Sequence, residues 1–325
     1  MKSAYYEKNG PAADVLIIGD RARPEPAAGE VLVQVHRSGV NPSDVKTRAA
    51  RPLAGDYVIP QSDGAGVIVA VGAGVSDERV GQRVWVWNGQ WQRADGTAAE
   101  YIALPSEQAV ELPENASFDE GACAGIPLLT AIQAVEFAKA CDAKTILVTG
   151  AGNAVGHYAT QLAERNGMTV IGTASPRRAD LVREAGAATV VDYRADGFTD
   201  TILAANNGKG VDAIIDMDFS SSVSLLRAGV LAPHGTLICY GSNDMDDIAA
   251  PFRELLYMSL KVNFFLVYEL TPSQREAALG IATEVLASGT LQTKIDSHFT
   301  LAQIATAHEK VETGTAIGNV LLDIA

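Results

Sequence analysis

The stretch TILVTGAGNAVGHYATQLAERNG, residues 145 to 167, constrains the fold more than any other part of the chain. An apolar run suited to a buried strand leads into a glycine-rich turn, and the turn leads into a segment with helical apolar spacing. A helix that begins this way presents unpaired backbone N–H groups and the positive end of its dipole, a setting that suits a dinucleotide pyrophosphate. The simplest G-x-G-x-x-G fingerprint does not fit. Read from Gly150, the sixth position is Val155; read from Ala151, the last position is Gly156, but Asn153 takes the middle place. The register from Ala151 keeps the glycine that lets helix and strand pack closely. Asn153 tolerates a left-handed backbone better than other residues with a Cβ, so a left-handed Asn153 is expected, with Gly150 and Gly152 easing the turn before it. An extended backbone there would mean that the phosphate is held differently or not at all. The plain alternative is a turn that only starts a helix.

The next apolar run, TVIGTAS, ends in Thr173-Ala174-Ser175-Pro176-Arg177-Arg178. NAD enzymes usually place a carboxylate here to bond the ribose 2′-hydroxyl, and this chain has none. The Ser175 hydroxyl and the guanidinium groups of Arg177 and Arg178 can instead bind a 2′-phosphate by charge-assisted hydrogen bonds. NADPH is therefore expected over NADH. The competing possibility is that both arginines are solvated residues of a first helical turn.

The rest of the chain supplies a setting for the loop. Residues before it alternate as half-buried strands do: Val31, Val33 and Val35, then Val67, Val69 and Val71, then Val84 and Val86. Asn88-Gly89 suits a tight hairpin, and the whole reads as a small, bent, mostly antiparallel domain. Near Ser117 the rhythm becomes helical, with Ser117 and Glu120 at capping-box spacing and Leu128, Ile132 and Val135 on one stripe. Beyond it, short apolar runs alternate with amphipathic segments, which implies a doubly wound α/β domain with a parallel sheet. After Tyr268 come two helical segments and a last strand, NVLLDI, too little for an independent core, so this tail is expected to complete the first domain. The boundaries expected are 1–121 with 268–325 for the mostly β domain and 122–267 for the nucleotide-binding one.

At 325 residues, two domains are the better prior. Acidic residues outnumber basic ones by 39 to 25, a net charge of −14, so nucleic acid and anionic membranes are not expected partners, and an anionic ligand needs a local basic pocket. The first residues lack a secretory h-region, and the longest run free of both charged residues and histidine, Gly121 to Val135, contains Pro127 and is too short to span a bilayer; a cytoplasmic protein is expected. Cys123, Cys141 and Cys239 form no C-x-x-C pair, so no disulfide framework and no metal site are expected.

Taken in order, SGVNPSDVKTR (38 to 48), SDGAGVIVAVGAGVSDERVGQRV (62 to 84), GTAAEYIALP (96 to 105), GIPLLTAIQAV (125 to 135), the glycine loop, EAGAATVVDYR (184 to 194) and AHEKVETGTAIGNVLL resemble the medium-chain dehydrogenase/reductases. Within them the likeness is to the zinc-independent quinone oxidoreductases similar to zeta-crystallin. It implies a GroES-like catalytic domain built from both chain ends, a Rossmann domain between them, a cofactor in the cleft and commonly a homodimer. Carried over by position, Gly150, Ala151, Gly152, Asn153, Ala154, Val155 and Gly156 would hold the pyrophosphate, and Ser175, Arg177 and Arg178 would read the 2′-phosphate. Tyr193 would lie near the adenine end. Gly241, Ser242, Phe265, Leu266 and Asn319 would surround the nicotinamide, and Pro127 and Thr130 would line the cleft.

The resemblance also marks departures. Zinc-dependent members carry a cysteine where this chain has Ser38 and a histidine–glutamate pair near Ser62-Asp63, and residues 85 to 98 lack the four cysteines of a structural zinc lobe. Without a Lewis acid a simple carbonyl has little to stabilise alkoxide charge, whereas a quinone or enone spreads that charge over its π system. The expectation is hydride transfer from NADPH to a quinone or similar conjugated carbonyl. Two alternatives stay open: an alkenal or enoyl double-bond reductase on the same scaffold, and a non-catalytic NADPH-binding protein. Asn41 and Lys46 are the candidate substrate donors, though Asn41-Pro42 also reads as a turn before a helix and Lys46 as a solvated residue. Close relatives tend to present tyrosines near Lys46 and Arg51. His157 is expected to be packed rather than catalytic.

Overall fold

The computed structural model describes residues 1–324. Strands run, in chain order, as β1 (Lys2–Tyr5), β2 (Ile17–Asp20), β3 (Glu30–Val40), β4 (Asp63–Val71), β5 (Arg83–Val86), β6 (Tyr101–Pro105), β7 (Ala109–Glu111), β8 (Thr145–Val148), β9 (Thr169–Thr173), β10 (Thr189–Val191), β11 (Val211–Asp216), β12 (Leu231–Cys239), β13 (Lys261–Phe264), β14 (Ile295–Thr300) and β15 (Asn319–Asp323). The chain divides into two compact units, one of residues 1–126 with the segment from Gly280 onward, the other Pro127–Leu279. Both divisions fall later in the chain than residues 121 and 267, where the sequence places them. The first lies in a π-helical turn, Ala124–Leu128, and the second inside the helix Pro272–Ser288, so no break in periodicity marks either. Pro127 sits within that π turn, where its missing N–H leaves an ordinary helical ladder incomplete.

The first unit is built on a sheet with strand order β14-β15-β3-β4-β5-β7, with β6 also pairing β3. The valines of β3 and β5 form its core as expected, Val31, Val33, Val35, Val84 and Val86 packing with Ile102 and Leu104; in β4 it is Ile68 that enters this core, while Val67, Val69 and Val71 are only half-buried, because the strand's opposite face is turned inward. Register shifts in the β3–β4 pair, between Leu32 and Val33 and between Val35 and Arg37, bend the sheet. The tail returns to this unit, since β15 pairs antiparallel with β3, Val320 opposite Val40. The hairpin expected at Asn88-Gly89 does not form: β5 pairs with β4 and β7, and β6 with β3. Asn88 does take a left-handed backbone, φ 52°, but Gly89 is there for close approach, its N–H bonding the Ser62 carbonyl at 2.8 Å.

The second unit holds a six-stranded parallel sheet in the order β10-β9-β8-β11-β12-β13. Counted from β8, that is 3-2-1-4-5-6, the Rossmann order, which reverses between β8 and β11. The central strands bury continuous apolar runs, Ile146, Leu147 and Val148 beside Ala213, Ile214 and Ile215, as strands covered on both faces must. Ser117 and Glu120 form the expected capping box, but around the short helix Phe118–Gly121; the longer helix Leu129–Ala140 starts only after the π turn and is buried on most sides.

Candidate functional site

In an open parallel sheet the ligand site lies beyond the carboxyl ends of the strands where the order reverses. Here those are the ends of β8 and β11. Thr149, just after β8, joins them: its N–H bonds the Ile215 carbonyl at 3.0 Å, its hydroxyl donates to Asp216 Oδ1 at 2.9 Å and accepts from the Met217 N–H at 3.0 Å. Asp216 is fully buried, and burial pushes its carboxyl above the usual range. Sequence reading missed Thr149 and Asp216; the signal was the polar pair closing two apolar runs, TILVT and DAIID.

The glycine loop follows. Gly150 is left-handed, φ 61°, with its N–H on Thr173 Oγ1 at 3.0 Å, and the Ala151 N–H reaches the Thr173 carbonyl at 2.9 Å. A Cβ on Gly150 would lie 2.0 Å from Met217 Sδ, so both its φ and its space demand glycine. Asn153 is not left-handed, contrary to expectation. It is extended, φ −93° and ψ 168°, and serves as N-cap of the helix Ala154–Arg165. The reason is positional: a cap residue takes β-region angles, and Gly150 already makes the left-handed turn. Gly156 has the packing role expected of it, since a Cβ there would meet the Gly150 carbonyl oxygen at 2.3 Å.

The Asn153 side chain makes no cap bond to the first helical turn. Its Nδ2 faces Met217 Sδ at 3.0 Å and its Oδ1 accepts from Arg178 Nη1. The N–H groups of Ala154, Val155 and Gly156 thus keep the orphan status of a helix start, oriented for an anion. With Asn153 extended, the expectation of a phosphate approached at a left-handed Asn153 is not met, and the donors that a phosphate could meet here are those of the first helical turn.

Ser175 precedes a short 3₁₀ turn, Pro176–Arg178, at the carboxyl end of β9. The Arg178 stem runs past Gly152, where a Cβ would come within 2.8 Å of Arg178 Cβ, so the absence of a side chain at Gly152 makes room for the arginine. Arg177 is exposed and Arg178 half-buried. Tyr193 lies after β10, 45% exposed, with the Arg194 guanidinium 5.2 Å from its ring centroid. Gly241 and Ser242 follow β12; Gly241 accepts from the Phe219 N–H at 3.0 Å, and Ser242 Oγ accepts from the Ser220 N–H at 3.3 Å. Phe265 and Leu266 follow β13, with Phe265 edge-on to Phe137 and Leu266 exposed. Pro127 and Thr130 are buried at the start of the unit. His157 is buried beside Tyr158, on the helix after the loop.

The remaining candidates belong to the first unit. Asn319 opens β15 and is buried, its amide donating to the Lys294 carbonyl at 3.0 Å. Asn41 caps the helix Pro42–Ala50, on which Lys46 is exposed. The Asn41 N–H bonds Asp44 Oδ2 at 2.7 Å and its Nδ2 donates to Asp63 Oδ2 at 2.8 Å. Asp63 also accepts from the Ile126 N–H at 2.9 Å. Burial dominates both carboxyls, pushing Asp44 up to about 7 and Asp63 well above the usual range. Ser38 Oγ donates to Gln61 Oε1 at 2.6 Å and lies 2.7 Å from Thr97 Oγ1, a closed cluster of neutral groups. Among the described residues no group of three or more histidine, cysteine, aspartate or glutamate side chains is placed to hold a metal ion.

Comparison with known proteins agrees with this architecture. Residues 27–114 match the alcohol dehydrogenase GroES-like domain, and residues 185–322 match a family described as zinc-binding dehydrogenase. The chain is 32% identical over 332 residues to human quinone oxidoreductase, covering 98% of this chain and 95% of that protein. It is 30% identical over 328 residues to the mouse synaptic vesicle membrane protein VAT-1 homolog, covering 92% and 77%. Of solved structures, an NAD-dependent alcohol dehydrogenase superposes with a TM-score of 0.88 at 25% identity over the full length of both chains. A mycobacterial protein complexed with NADPH does so with a TM-score of 0.86 at 25% identity over 99% of each. The GroES-like unit, the Rossmann strand order and near full-length likeness to quinone oxidoreductase together show that this chain belongs to the medium-chain dehydrogenase/reductase family and is an oxidoreductase of its quinone oxidoreductase-like group.

Proposed function

We propose that the protein is a reductase that uses NADPH, without zinc, to reduce a quinone or a similar conjugated carbonyl. The observation that carries the cofactor is Arg178, seated against Gly152 and bonded to Asn153 at the end of β9, with Arg177 and Ser175 beside it and no carboxylate in that segment. A bound dihydronicotinamide would supply the hydride. In this reading the first turn at Ala154, Val155 and Gly156 receives the pyrophosphate and the two arginines select the 2′-phosphate. Tyr193 flanks the adenine, while Gly241, Ser242, Phe265 and Leu266, with Pro127 and Thr130, shape the nicotinamide end of the site in the second unit.

Zinc independence rests on the donor set. Ser38, Gln61, Ser62 and Thr97 offer hydroxyl and amide groups, poor ligands for Zn²⁺ beside thiolate and imidazole, and Asp63 is engaged by Asn41 and the Ile126 N–H. With no Lewis acid, the favoured acceptor is one that delocalises the developing charge itself, with Asn41 and Lys46 as hydrogen-bond donors. A homodimer in the cytoplasm completes the proposal; the exposed edge strand of the second unit supports the dimer. The test is consumption of NADPH against a series of quinones, alkenals, enoyl thioesters and simple ketones. Turnover fastest with quinones is expected, and turnover confined to unconjugated ketones would contradict the reading.

A further inference from the structure

We infer that the first unit holds a subsite for the anionic group of a planar acceptor, with Arg51 as its clamp. The inference rests on the reductase reading above, whose acceptor it narrows to conjugated carbonyls that carry a carboxylate.

A pocket of about 360 Å³ opens in this unit, with Thr47, Arg51, Val58, Gln90, Trp91 and Gln92 among its walls. That volume lies within the roughly 300–1,000 Å³ typical of small-molecule sites. Arg51 is the C-cap of the helix Pro42–Ala50, its N–H bonding the Thr47 carbonyl at 3.1 Å, so its side chain starts from a fixed point. Its guanidinium lies over the Trp91 ring, 4.9 Å from the centroid. Arg51 takes part in none of the ion pairs among the described residues, whereas Arg48, on the same helix, is paired with Glu312 at 3.0 Å. The polar walls other than Arg51, the Thr47 hydroxyl and the amides of Gln90 and Gln92, are neutral.

The charge of this pocket is therefore positive in a protein of net charge −14. An arginine without a carboxylate beside it, in so acidic a chain, is what an anionic ligand would need. A guanidinium stacked on an indole leaves its N–H edge free to fork a carboxylate, and the indole face suits a flat conjugated ring. Neither feature is required for a neutral quinone.

The experiment has two arms on the full chain. In the first, tryptophan emission is followed during titration with 2-naphthoate and with neutral 2-naphthamide, in the parent, Arg51→Gln, Gln92→Glu and Trp91→Phe. The parent is expected to bind naphthoate at least tenfold more tightly than the amide. Arg51→Gln and Gln92→Glu should each erase that preference, and Trp91→Phe should remove the quenching. Equal binding of the two probes, or a preference that survives Arg51→Gln, would overturn the subsite. In the second arm, kcat/KM with NADPH is compared for a carboxylate-bearing naphthoquinone and its neutral parent. Arg51→Gln should lower the ratio about tenfold, through KM, and an unchanged ratio would overturn the inference. Arg51-dependent naphthoate binding with no reduction of any quinone would contradict the reductase reading and keep the subsite.

Discussion

At the scale of single residues, the loop shows how one substitution is absorbed by its neighbours. Asn153 in the middle of the fingerprint looked like a left-handed glycine substitute, but Gly150 takes that conformation and Asn153 becomes an extended cap tied to Arg178. The residue types pointed to the loop and to its helix; which residue turns left depends on Met217, packed against Gly150 from the end of β11, and no local pattern carries that contact. The same limit applies to Asn41. Its turn-before-helix alternative describes it: it caps a helix, and its amide donates to Asp63, more than 20 residues away in sequence. Asp44 beside it gives a pH prediction. Its carboxyl is raised by burial from the usual carboxylate range to about 7 in the folded protein, so the folded state holds its proton to higher pH than the unfolded one. Its contribution to stability therefore falls as pH rises from about 4 to about 7. Asp44→Asn removes that fall, so the Tm difference, variant minus parent, should grow between pH 4.5 and pH 8. A difference that shrinks over the same interval would contradict the burial of the carboxyl.

At the scale of elements, the strands were the legible part. Alternation in β3 and β5 and the apolar runs of β8, β11 and β12 reflect burial on one face or on two, which is a local property of the chain. Which strand pairs with which was not local, and Asn88-Gly89 illustrates it: the turn exists, but its flanking strands find other partners. The unpaired edge of the second unit gives a prediction about assembly. β13 ends that sheet, and around it Phe252, Leu256, Tyr257 and Phe264 are exposed, at 72%, 58%, 81% and 59%. An open strand edge flanked by exposed apolar side chains invites pairing. If the protein is a homodimer through this edge, Leu256→Asp with Tyr257→Asp should convert it to monomers in sedimentation velocity at micromolar concentration, with the far-ultraviolet circular dichroism retained. A parent chain that already sediments as a monomer would contradict the dimer.

At the scale of the whole molecule, the return of the C-terminal tail to β3 was legible in its being too small for a core of its own, whereas the Rossmann identity of the parallel sheet and the positions that would face a nicotinamide came from the family resemblance and not from periodicity. The order of segments along the chain preserved that information even though no single segment did. Net charge makes a complementary statement. A chain with 39 acidic and 25 basic residues can favour a phosphorylated cofactor only through local basic groups, and Arg177 and Arg178 are the pair the fold sets beside the loop. Charge-assisted hydrogen bonds of this kind contribute about 1.5–3 kcal/mol each, enough to separate NADPH from NADH by more than tenfold. The most direct measurement is the dissociation constant of each cofactor, from quenching of protein fluorescence, in the parent and in the Arg177→Ala, Arg178→Ala double variant. The parent should bind NADPH at least tenfold more tightly than NADH, and the double variant should lose NADPH affinity far more than NADH affinity. Equal affinity for the two cofactors in the parent, or equal losses in the variant, would contradict the central claim.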